Sequence, residues 1–392
     1  MDTRLVTPRF MVITVAALAY FVALGMLFPV LPQYVEDELG GSAVAVGLSV
    51  GAFGLSSAVL RPIVGAWGDR RGRRFLIMLG SLSASVAIAA NVFATTVPMV
   101  IAFRLASGFG EAAMFVGVAA AVQDLAPPER RAEAASYFSI SIYAGLAMGP
   151  ILGEVLLEGA GFDTVWLVAA GSAVLGGVLG WWAPNDVDPE ATRPTRFLHR
   201  AALRPGAVLG VNLVAYAGFL SFIALYAEAV GIERTGLVFA LFAGIVVGVR
   251  LTAARLPDRL GPIVTTTMAG TVSAAGLGLM ALWDRPSGIF VGTGLYALGQ
   301  AFMFPALFAV AVGAAPPAER SHAIATFSVF FDVAVGVGGF ATGAVVAVGG
   351  HRSAFAFGAA LCLVSLAMVR PLVGPVLAAR TGAERPAPTV TT

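Results

Sequence analysis

The sequence predicts an all-α membrane protein with twelve transmembrane helices, arranged as two pseudo-symmetric, parallel six-helix bundles. Three observations support this fold class: the composition, the recurrence of long apolar runs, and an internal repeat. Of the 392 residues, 58% are hydrophobic and only 12% are charged, whereas soluble domains carry about 25% charged residues. A chain with so few charges cannot cover a surface that faces water, so lipid is its expected solvent.

A helix needs about 20 apolar residues to cross the hydrocarbon core of a bilayer. Uncharged runs near or above this length cover residues 10–35, 39–60, 75–103, 134–153, 164–185, 205–227, 260–283 and 286–318. Shorter runs, or runs with one embedded charge, cover residues 105–123, 235–255, 323–350 and 353–369. The run 75–103 is divided near Thr95–Pro98, where span 3 is expected to end and span 4 to begin. Twelve spans result.

The loop charges predict the orientation and the domain boundaries. Most arginines fall in loops that share one side of the predicted topology, which indicates the cytoplasm, so both termini are expected there. Residues 1–183 form the predicted N-terminal bundle, 184–204 a cytoplasmic linker, 205–376 the C-terminal bundle, and 377–392 a disordered cytoplasmic tail. The net charge of +2 is too small to indicate a nucleic-acid partner.

The two halves of the chain match at a constant offset of 189 residues. Asp69-Arg70-x-Gly72 falls on Asp258-Arg259-x-Gly261, and the Pro-Pro-x-x-Arg segment at 127–131 falls on the one at 316–320. Arg61 falls on Arg250, and Glu111 on Gln300. Six spans return the chain to the same side, so the repeat is parallel, and a binding site is expected between the halves near mid-membrane.

Three motifs resemble the major facilitator superfamily, and within it the twelve-span proton-coupled drug and metabolite exporters. Residues 65–74, Gly-Ala-Trp-Gly-Asp-Arg-Arg-Gly-Arg-Arg, resemble the signature loop between spans 2 and 3, with Trp67 in place of the usual leucine. Residues 104–110, Arg-x-x-x-Gly-x-Gly, resemble the span 4 motif. Residues 145–153, Gly-x-x-x-Gly-Pro-x-x-Gly, resemble the span 5 motif of antiporters, with Glu154 where a second glycine is usual.

The resemblance implies a conformational latch at the cytoplasmic surface. Asp69 would dock at the N-terminus of span 11, where free backbone N–H groups and the helix dipole favour an anion, and Asp258 would make the corresponding contact to span 5. The latch residues are expected to be Gly65, Asp69, Arg70, Gly72, Arg73, Asp258 and Arg259. The alternative for the neighbouring arginines is that they only fix the topology.

The span 5 motif places three glycines on one helix face. Gly145, Gly149 and Gly153 recur every four residues, and small residues let helix backbones approach closely. Pro150 removes one backbone hydrogen bond and can kink the helix. The expected role is close packing that can slide between two states, and plain helix packing is the alternative.

Two embedded acids are candidates for proton coupling, because a charge at mid-membrane usually faces a cavity or a partner. Glu111 lies seven residues after Arg104, on the same face but about 10 Å along the axis, which is too far for a direct salt bridge. Glu111 is a proton site, a recognition group for a cationic substrate, or a structural partner of Arg104. Asp332 is the rival proton carrier, and its alternative is an ion pair with Arg250 or Arg61.

The resemblance also implies a substrate cavity lined by spans 1, 4, 7 and 10. The candidate contacts are Tyr20, Phe28, Glu111, Asn212, Tyr216, Tyr296, Gln300 and Phe304. Apolar and aromatic walls with few polar anchors suit moderately hydrophobic ligands.

The predicted function is export of a small amphipathic organic compound, such as a drug or metabolite, by proton antiport. The alternatives are a proton-coupled importer of a sugar or organic acid, and a non-transporting sensor. No enzyme is expected, because the three histidines are scattered and no nucleophile or metal-spacing motif is present. The chain has no lysine and no phosphate-binding loop, so ATP is excluded as energy source, and no cofactor is expected. The expected partners are the small-molecule substrate, protons and the bilayer, and the expected location is the inner cell membrane, as a monomer.

Overall fold

The structure is a computed structural model that describes residues 5–127, 130–184, 198–253, 256–316 and 320–383. All the regular elements in these ranges are helical. The α-helices are α1 Pro8–Gln33, α2 Ala43–Arg71, α3 Arg73–Ala89, α4 Val97–Asp124, α5 Arg131–Leu179, α6 Arg200–Ala229, α7 Gly236–Thr252, α8 Leu256–Leu260, α9 Pro262–Leu282, α10 Pro286–Gly313, α11 Arg320–Gly349 and α12 His351–Ala383. A π-helical turn, Tyr34–Glu38, and two 3₁₀ turns, Ala90–Phe93 and Gly180–Trp182, extend α1, α3 and α5.

The predicted all-helical membrane fold is confirmed. Within the described ranges, ten helices are long and apolar enough to cross a membrane, and the shorter helix α7 is also apolar. The helix α5 is broken at Gly161, whose φ of +78° is readily available only to glycine. Dividing α5 there and counting α7 would give twelve spans, so the count of twelve stays a prediction.

Helix boundaries follow local capping signals. The side chain of Thr7 accepts a hydrogen bond from the Phe10 N–H, and Pro8 occupies the first turn of α1, where a missing N–H costs nothing. Gly72 separates α2 from α3, and Gly261 separates α8 from α9, with φ values of +87° and +79°. These two glycines are related by the 189-residue offset, so the repeat extends to backbone conformation.

Three predicted boundaries can be compared with the helices. The division near Thr95–Pro98 is confirmed, because α3 and its 3₁₀ extension end at Phe93 and α4 begins at Val97. The predicted linker 184–204 overlaps the start of α6 at Arg200, and its residues 185–197 lie outside the described ranges. The predicted tail 377–392 overlaps the end of α12, which continues to Ala383, and its residues 384–392 lie outside them, so the domain boundaries stay predictions.

Each half of the chain packs mainly on itself. In the first half (α1–α5), α1 packs on α5, and α4 packs on α2 and α3. In the second half (α6–α12), α6 packs on α11 and α12, and α9 packs on α10 and α12. The halves meet where α2 contacts α11, α5 contacts α7, and α1 contacts α6. These three contacts position the site described below.

The contact between α2 and α11 is built from glycines. The residues are Gly47, Gly51 and Gly54 of α2 and Gly336, Gly339 and Gly343 of α11. A Cβ atom placed on Gly339 would lie 3.0 Å from the backbone nitrogen of Gly51, so backbone meets backbone. We call this contact the glycine seam.

Candidate functional site

A buried ion cluster joins the two halves beside the glycine seam. Arg61 of α2 lies between Glu111 of α4 and Asp332 of α11. Its Nη2 is 3.1 Å from Glu111 Oε2, and its Nε is 2.9 Å from Asp332 Oδ2. The exposed fractions of the three side chains are 11%, 8% and 5%. The cluster therefore binds α2 and α4 of the first half to α11 of the second half.

Further contacts hold the cluster in place. The Ser57 hydroxyl donates a hydrogen bond to Glu111 Oε2, and the Arg61 Nη2 also donates to Asp332 Oδ1 at 3.0 Å. The Arg61 guanidinium lies 4.5 Å from the centre of the Phe115 ring, a distance that allows a cation–π interaction. The Arg61 guanidinium is thus the shared ion-pair partner of both carboxylates.

The charge balance of this cluster makes it chemically unusual. Two ionised carboxylates and one guanidinium carry a net charge of −1, and burying a net charge is costly. With one of the two acids protonated, the cluster would be electrically neutral.

The structure brings together the two predicted rivals for proton coupling. Glu111 and Asp332 share Arg61, so the alternative partner Arg61 foreseen for Asp332 is the one observed. Arg104 is not the partner of Glu111: its Nε donates to the Ser49 carbonyl at 3.2 Å. Its guanidinium lies 4.4 Å from the centre of the Phe53 ring.

A second arginine contact joins the halves at the corresponding place. Arg250 of α7, the repeat counterpart of Arg61, donates from Nη2 to the Tyr143 hydroxyl of α5 at 3.0 Å. Its guanidinium lies 4.2 Å from the centre of the Tyr143 ring. Tyr143 is in turn the counterpart of Asp332, since the two are 189 residues apart. The same contact is therefore ionic on one side of the molecule and aromatic on the other.

A small aromatic pocket, with a cavity volume of about 10 Å³, room for about one water molecule, lies between the halves near Tyr143. It is lined by Phe28, Tyr143, Leu146, Tyr216, Leu220, Phe239, Phe242 and Ala243, which come from α1, α5, α6 and α7. The Phe28 and Phe239 rings stack with centroids 6.3 Å apart. Two predicted substrate contacts, Phe28 and Tyr216, belong to this aromatic pocket.

The other predicted substrate contacts of the second half lie elsewhere. Gln300 of α10 donates from Nε2 to the Asn212 Oδ1 of α6 at 2.8 Å, and Asn212 donates to the sulfur of Cys362 at 3.4 Å. Tyr296 is fully buried, with its ring 5.2 Å from that of Phe219.

Tyr20 and Phe304 are also removed from the aromatic pocket. Tyr20 of α1 is fully buried and packs edge to face on Phe21, with centroids 5.7 Å apart. Phe304 of α10 packs against Phe308 and Phe327, within a separate cluster of the second half.

The predicted latch is described only in part. The side chains of Asp69 and Asp258 lie outside the part of the chain that the structure describes, so their docking stays a prediction. Arg70 and Arg259 are exposed, and a Cβ placed on Gly65 would meet no atom within 4 Å. Arg73 forms an ion pair with Asp124, with Nε 3.2 Å from Oδ2.

The glycines of the span 5 motif face α1. A Cβ atom on Gly149 would lie 2.6 Å from the Gly25 Cα, and one on Gly145 would lie 2.8 Å from the Val22 nitrogen. Gly153 meets the Met26 backbone, and the Pro150 ring lies beside Gly25. The motif therefore packs α5 onto α1 within the first half, and its role in export stays a prediction.

Sequence reasoning missed the contact that Glu154 makes. Its Oε2 accepts a hydrogen bond from the Gly236 N–H at 2.9 Å, and its Oε1 accepts one from the Thr235 hydroxyl at 2.9 Å. The carboxylate of α5 thus caps the first turn of α7 in the other half, where the helix dipole favours an anion. The sequence signal that could have indicated this contact is the glutamate at position 154, where the motif usually has glycine.

Many long apolar helices with buried charges between them are typical of polytopic membrane proteins. The chain belongs to the Major Facilitator Superfamily, whose family model matches residues 13–294. It is 26% identical over 372 residues to an uncharacterized MFS-type transporter of Salmonella typhimurium, covering 92% of this chain and 95% of the relative. It is also 26% identical over 349 residues to an uncharacterized MFS-type transporter of Burkholderia mallei, covering 86% of this chain and 84% of the relative.

Solved structures share the fold. A POT family transporter in complex with 5-aminolevulinic acid matches with a TM-score of 0.79 at 11% identity, over 94% of this chain and 96% of the other. A bacterial homolog of the human lysosomal transporter Spinster, in an inward-facing and occupied conformation, matches with a TM-score of 0.73 at 18% identity, over 97% and 98%. The human organic anion transporter MFSD10 matches with a TM-score of 0.72 at 18% identity, over 93% and 100%. The predicted family and transporter class are therefore confirmed.

Proposed function

We propose that this protein is a proton-coupled secondary transporter that exports a small amphipathic organic compound by alternating access of its two halves. The observation that supports this most directly is the buried cluster of Arg61, Glu111 and Asp332. It can take up one proton, and one of its ion pairs crosses between the halves. Coupling of proton binding to movement requires a proton-binding group at an interface between the halves that opens during transport.

The coupling step acts on the contact between Arg61 and Asp332. With both acids ionised, Arg61 is held by carboxylates of both halves, and α2 stays attached to α11. A proton on Asp332 removes its charge and weakens this ion pair, while Arg61 keeps Glu111 as its partner within the first half. Uptake of a proton thus releases α11 from α2, and its loss restores the contact.

The aromatic pocket supports an amphipathic substrate. Its lining is apolar and aromatic, with the hydroxyls of Tyr143 and Tyr216 as polar groups. Ligand sites of this composition bind apolar bodies and orient them through a few polar contacts. The pocket lies between α1 and α5 of one half and α6 and α7 of the other, so relative movement of the halves would open or close it.

The direction of transport rests on the span 5 motif, which resembles that of antiporters. Gly145, Gly149 and Gly153 pack α5 against α1 without side chains between them. An importer would carry substrate and proton in the same direction, whereas an exporter by antiport moves them in opposite directions. The two are separated by the sign of the proton flux.

The test is proton flux in liposomes that contain the purified protein, with a pH gradient and a panel of amphipathic compounds. In antiport, substrate added outside the liposomes enters them while protons leave the liposome interior. We expect Asp332→Asn to abolish this substrate-driven proton flux. Asp284→Asn is the matched control, because Asp284 also pairs with an arginine, Arg352, at an exposed position. Cotransport in one direction would identify an importer, and binding without flux would identify a sensor; either contradicts the proposal.

A further inference from the structure

Arg250 of α7 is half-buried and has no carboxylate partner among the residues that the structure describes. Among the residues that the structure describes, its polar contact is the Tyr143 hydroxyl, and its guanidinium rests on the Tyr143 ring. Its Nε is buried, and no described atom accepts a hydrogen bond from it. The side chain therefore keeps donors free beside an aromatic ring.

The repeat shows what is missing at Arg250. Its counterpart Arg61 is neutralised by Asp332 of the opposite half, 2.9 Å away. At the position equivalent to Asp332, the chain carries Tyr143, which supplies a ring and a hydroxyl but no negative charge. The two arginines occupy corresponding positions of the repeat, but in the described part of the chain only Arg61 has a carboxylate of the opposite half as its counter-ion.

Arg250 lies in the last turn of α7, and charged residues within membrane-spanning helices mark substrate and ion pathways. The cation–π contact with Tyr143 offsets only part of the cost of removing the guanidinium from water. A carboxylate bound to the guanidinium would form charge-assisted hydrogen bonds in bidentate geometry. The chemistry that completes this site is thus a planar organic anion.

The free arginine adjoins the aromatic pocket. Tyr143 belongs to both, since its ring lines the pocket and its hydroxyl contacts Arg250. On α7, Ala243 of the pocket lies seven residues before Arg250, which places the two on one helix face, about 10 Å apart. A ligand with an aromatic body and a carboxylate on a short chain would reach both.

We infer that the site formed by Arg250, Tyr143 and the aromatic pocket binds organic monoanions with an apolar or aromatic body, such as arylalkanoates. This inference rests on the proposed function in taking the pocket as the substrate site, and it adds the charge of the substrate. Two other arginines also have no described acid partner, but Arg104 donates from Nε to the Ser49 carbonyl, and Arg74 donates to the Ala183 carbonyl. Neither contacts a residue of the pocket lining in the way that Arg250 contacts Tyr143.

The test is equilibrium binding to the purified full-length protein in detergent. The probes are 4-phenylbutyrate, 4-phenylbutanamide and 4-phenylbutylamine, which share one body and differ in charge. We expect the carboxylate to bind at least about tenfold more tightly than the amide, because hydrogen bonds to charged groups are the stronger ones, and the amine to bind least. Equal binding of acid and amide, preference for the amine, or no binding of the acid would overturn the inference, and none of these results depends on a variant.

Variants then locate the anion. Arg250→Gln is expected to weaken binding of 4-phenylbutyrate by about 10- to 100-fold, and Arg250→Lys to retain part of the affinity. Arg352→Gln is the control, since Arg352 is exposed and pairs with Asp284. Full affinity in Arg250→Gln, or loss in Arg104→Gln alone, would overturn the assignment.

The inference and the proposed function fail differently. Charge-selective binding of 4-phenylbutyrate without any proton flux in liposomes would support the anion site and remove proton coupling. Proton flux driven only by cationic or neutral compounds would keep the coupling and overturn the anion site.

Discussion

Tyr143 and Asp332 occupy corresponding positions of the two repeats, and each contacts the arginine of the opposite half. Asp332 forms an ion pair with Arg61 at 2.9 Å, whereas Tyr143 accepts a hydrogen bond from Arg250 at 3.0 Å. A molecule built from two similar halves thus holds its two interfaces by different chemistry. Only the contact at Asp332 is an ion pair between the halves, so in the proposed coupling it is the contact that a proton would weaken.

Restoring the symmetry is therefore informative. Tyr143→Asp places a carboxylate where the geometry of the Arg61–Asp332 pair shows that an aspartate can reach the arginine. We expect Arg250 to become neutralised, binding of 4-phenylbutyrate to fall by about tenfold or more, and α5 to hold α7 more tightly. Tyr143→Phe is the control, because it keeps the ring and adds no charge. Unchanged binding in Tyr143→Asp would contradict a role for the positive charge of Arg250.

Removing the cation of the ion cluster should destabilise the protein. Arg61→Ala leaves Glu111 and Asp332 buried without a counter-charge, and breaking a buried pair in this way costs about 3–5 kcal/mol. Thermal unfolding in detergent measures the loss, as a lower melting temperature than that of the unsubstituted protein.

A double variant controls for the loss of packing. Adding Asp332→Asn to Arg61→Ala removes one of the two carboxylates left without a counter-charge, so the double variant should be more stable than Arg61→Ala alone. If the two substitutions are simply additive, Arg61 and Asp332 are not energetically coupled.

The cap that Glu154 places on α7 should affect the balance between conformations. Glu154→Ala removes the acceptors for the Gly236 N–H and the Thr235 hydroxyl, a loss of about 0.5–2 kcal/mol. Because this contact joins the halves, we expect the equilibrium to shift toward the state in which α5 and α7 are apart. Distances between spin labels on α5 and α7 measure the shift.

Glu158→Ala is the matched control for Glu154, since it lies one turn further along α5 and is exposed. An identical distance distribution in the Glu154 and Glu158 variants would show that the cap does not restrain the halves.

The close approach of α5 to α1 predicts strong intolerance to small additions. The Cβ in Gly149→Ala would lie 2.6 Å from the Gly25 Cα, and such overpacking typically costs about 1–3 kcal/mol. Gly159→Ala is the control on the same helix, because its Cβ would meet no atom within 4 Å and alanine favours the helix. A similar melting temperature for both variants would contradict close packing at Gly149.

The sequence was sufficient for the helices, the repeat and the identity of the buried acids, because these depend on local composition and on a constant offset. It was not sufficient for their partners. Arg104 was considered for Glu111 because spacing along one helix can be calculated, whereas Arg61 reaches Glu111 from another helix, fifty residues earlier in the chain. Contacts between helices depend on how the helices rotate and tilt, which periodicity does not determine.

The same limit applies to the predicted substrate contacts. Phe28 and Tyr216 line the aromatic pocket, while Phe304, predicted on equal grounds, packs against Phe308 and Phe327 within the second half. An aromatic residue in a span carries no signal that separates these outcomes. For Tyr143 the sequence does contain a signal, because the 189-residue offset aligns Tyr143 with Asp332.

The glycine seam affects which contacts between the halves resist their relative movement. Where backbone meets backbone, α2 and α11 can shift without exchanging side-chain rotamers, so the seam itself adds little resistance. The preference for one arrangement over another then comes mainly from the polar contacts that join the halves, including that of Arg61 beside the seam and that of Glu154 between α5 and α7. Single substitutions at these two residues should change how long each arrangement lasts, while leaving the shape of both arrangements the same.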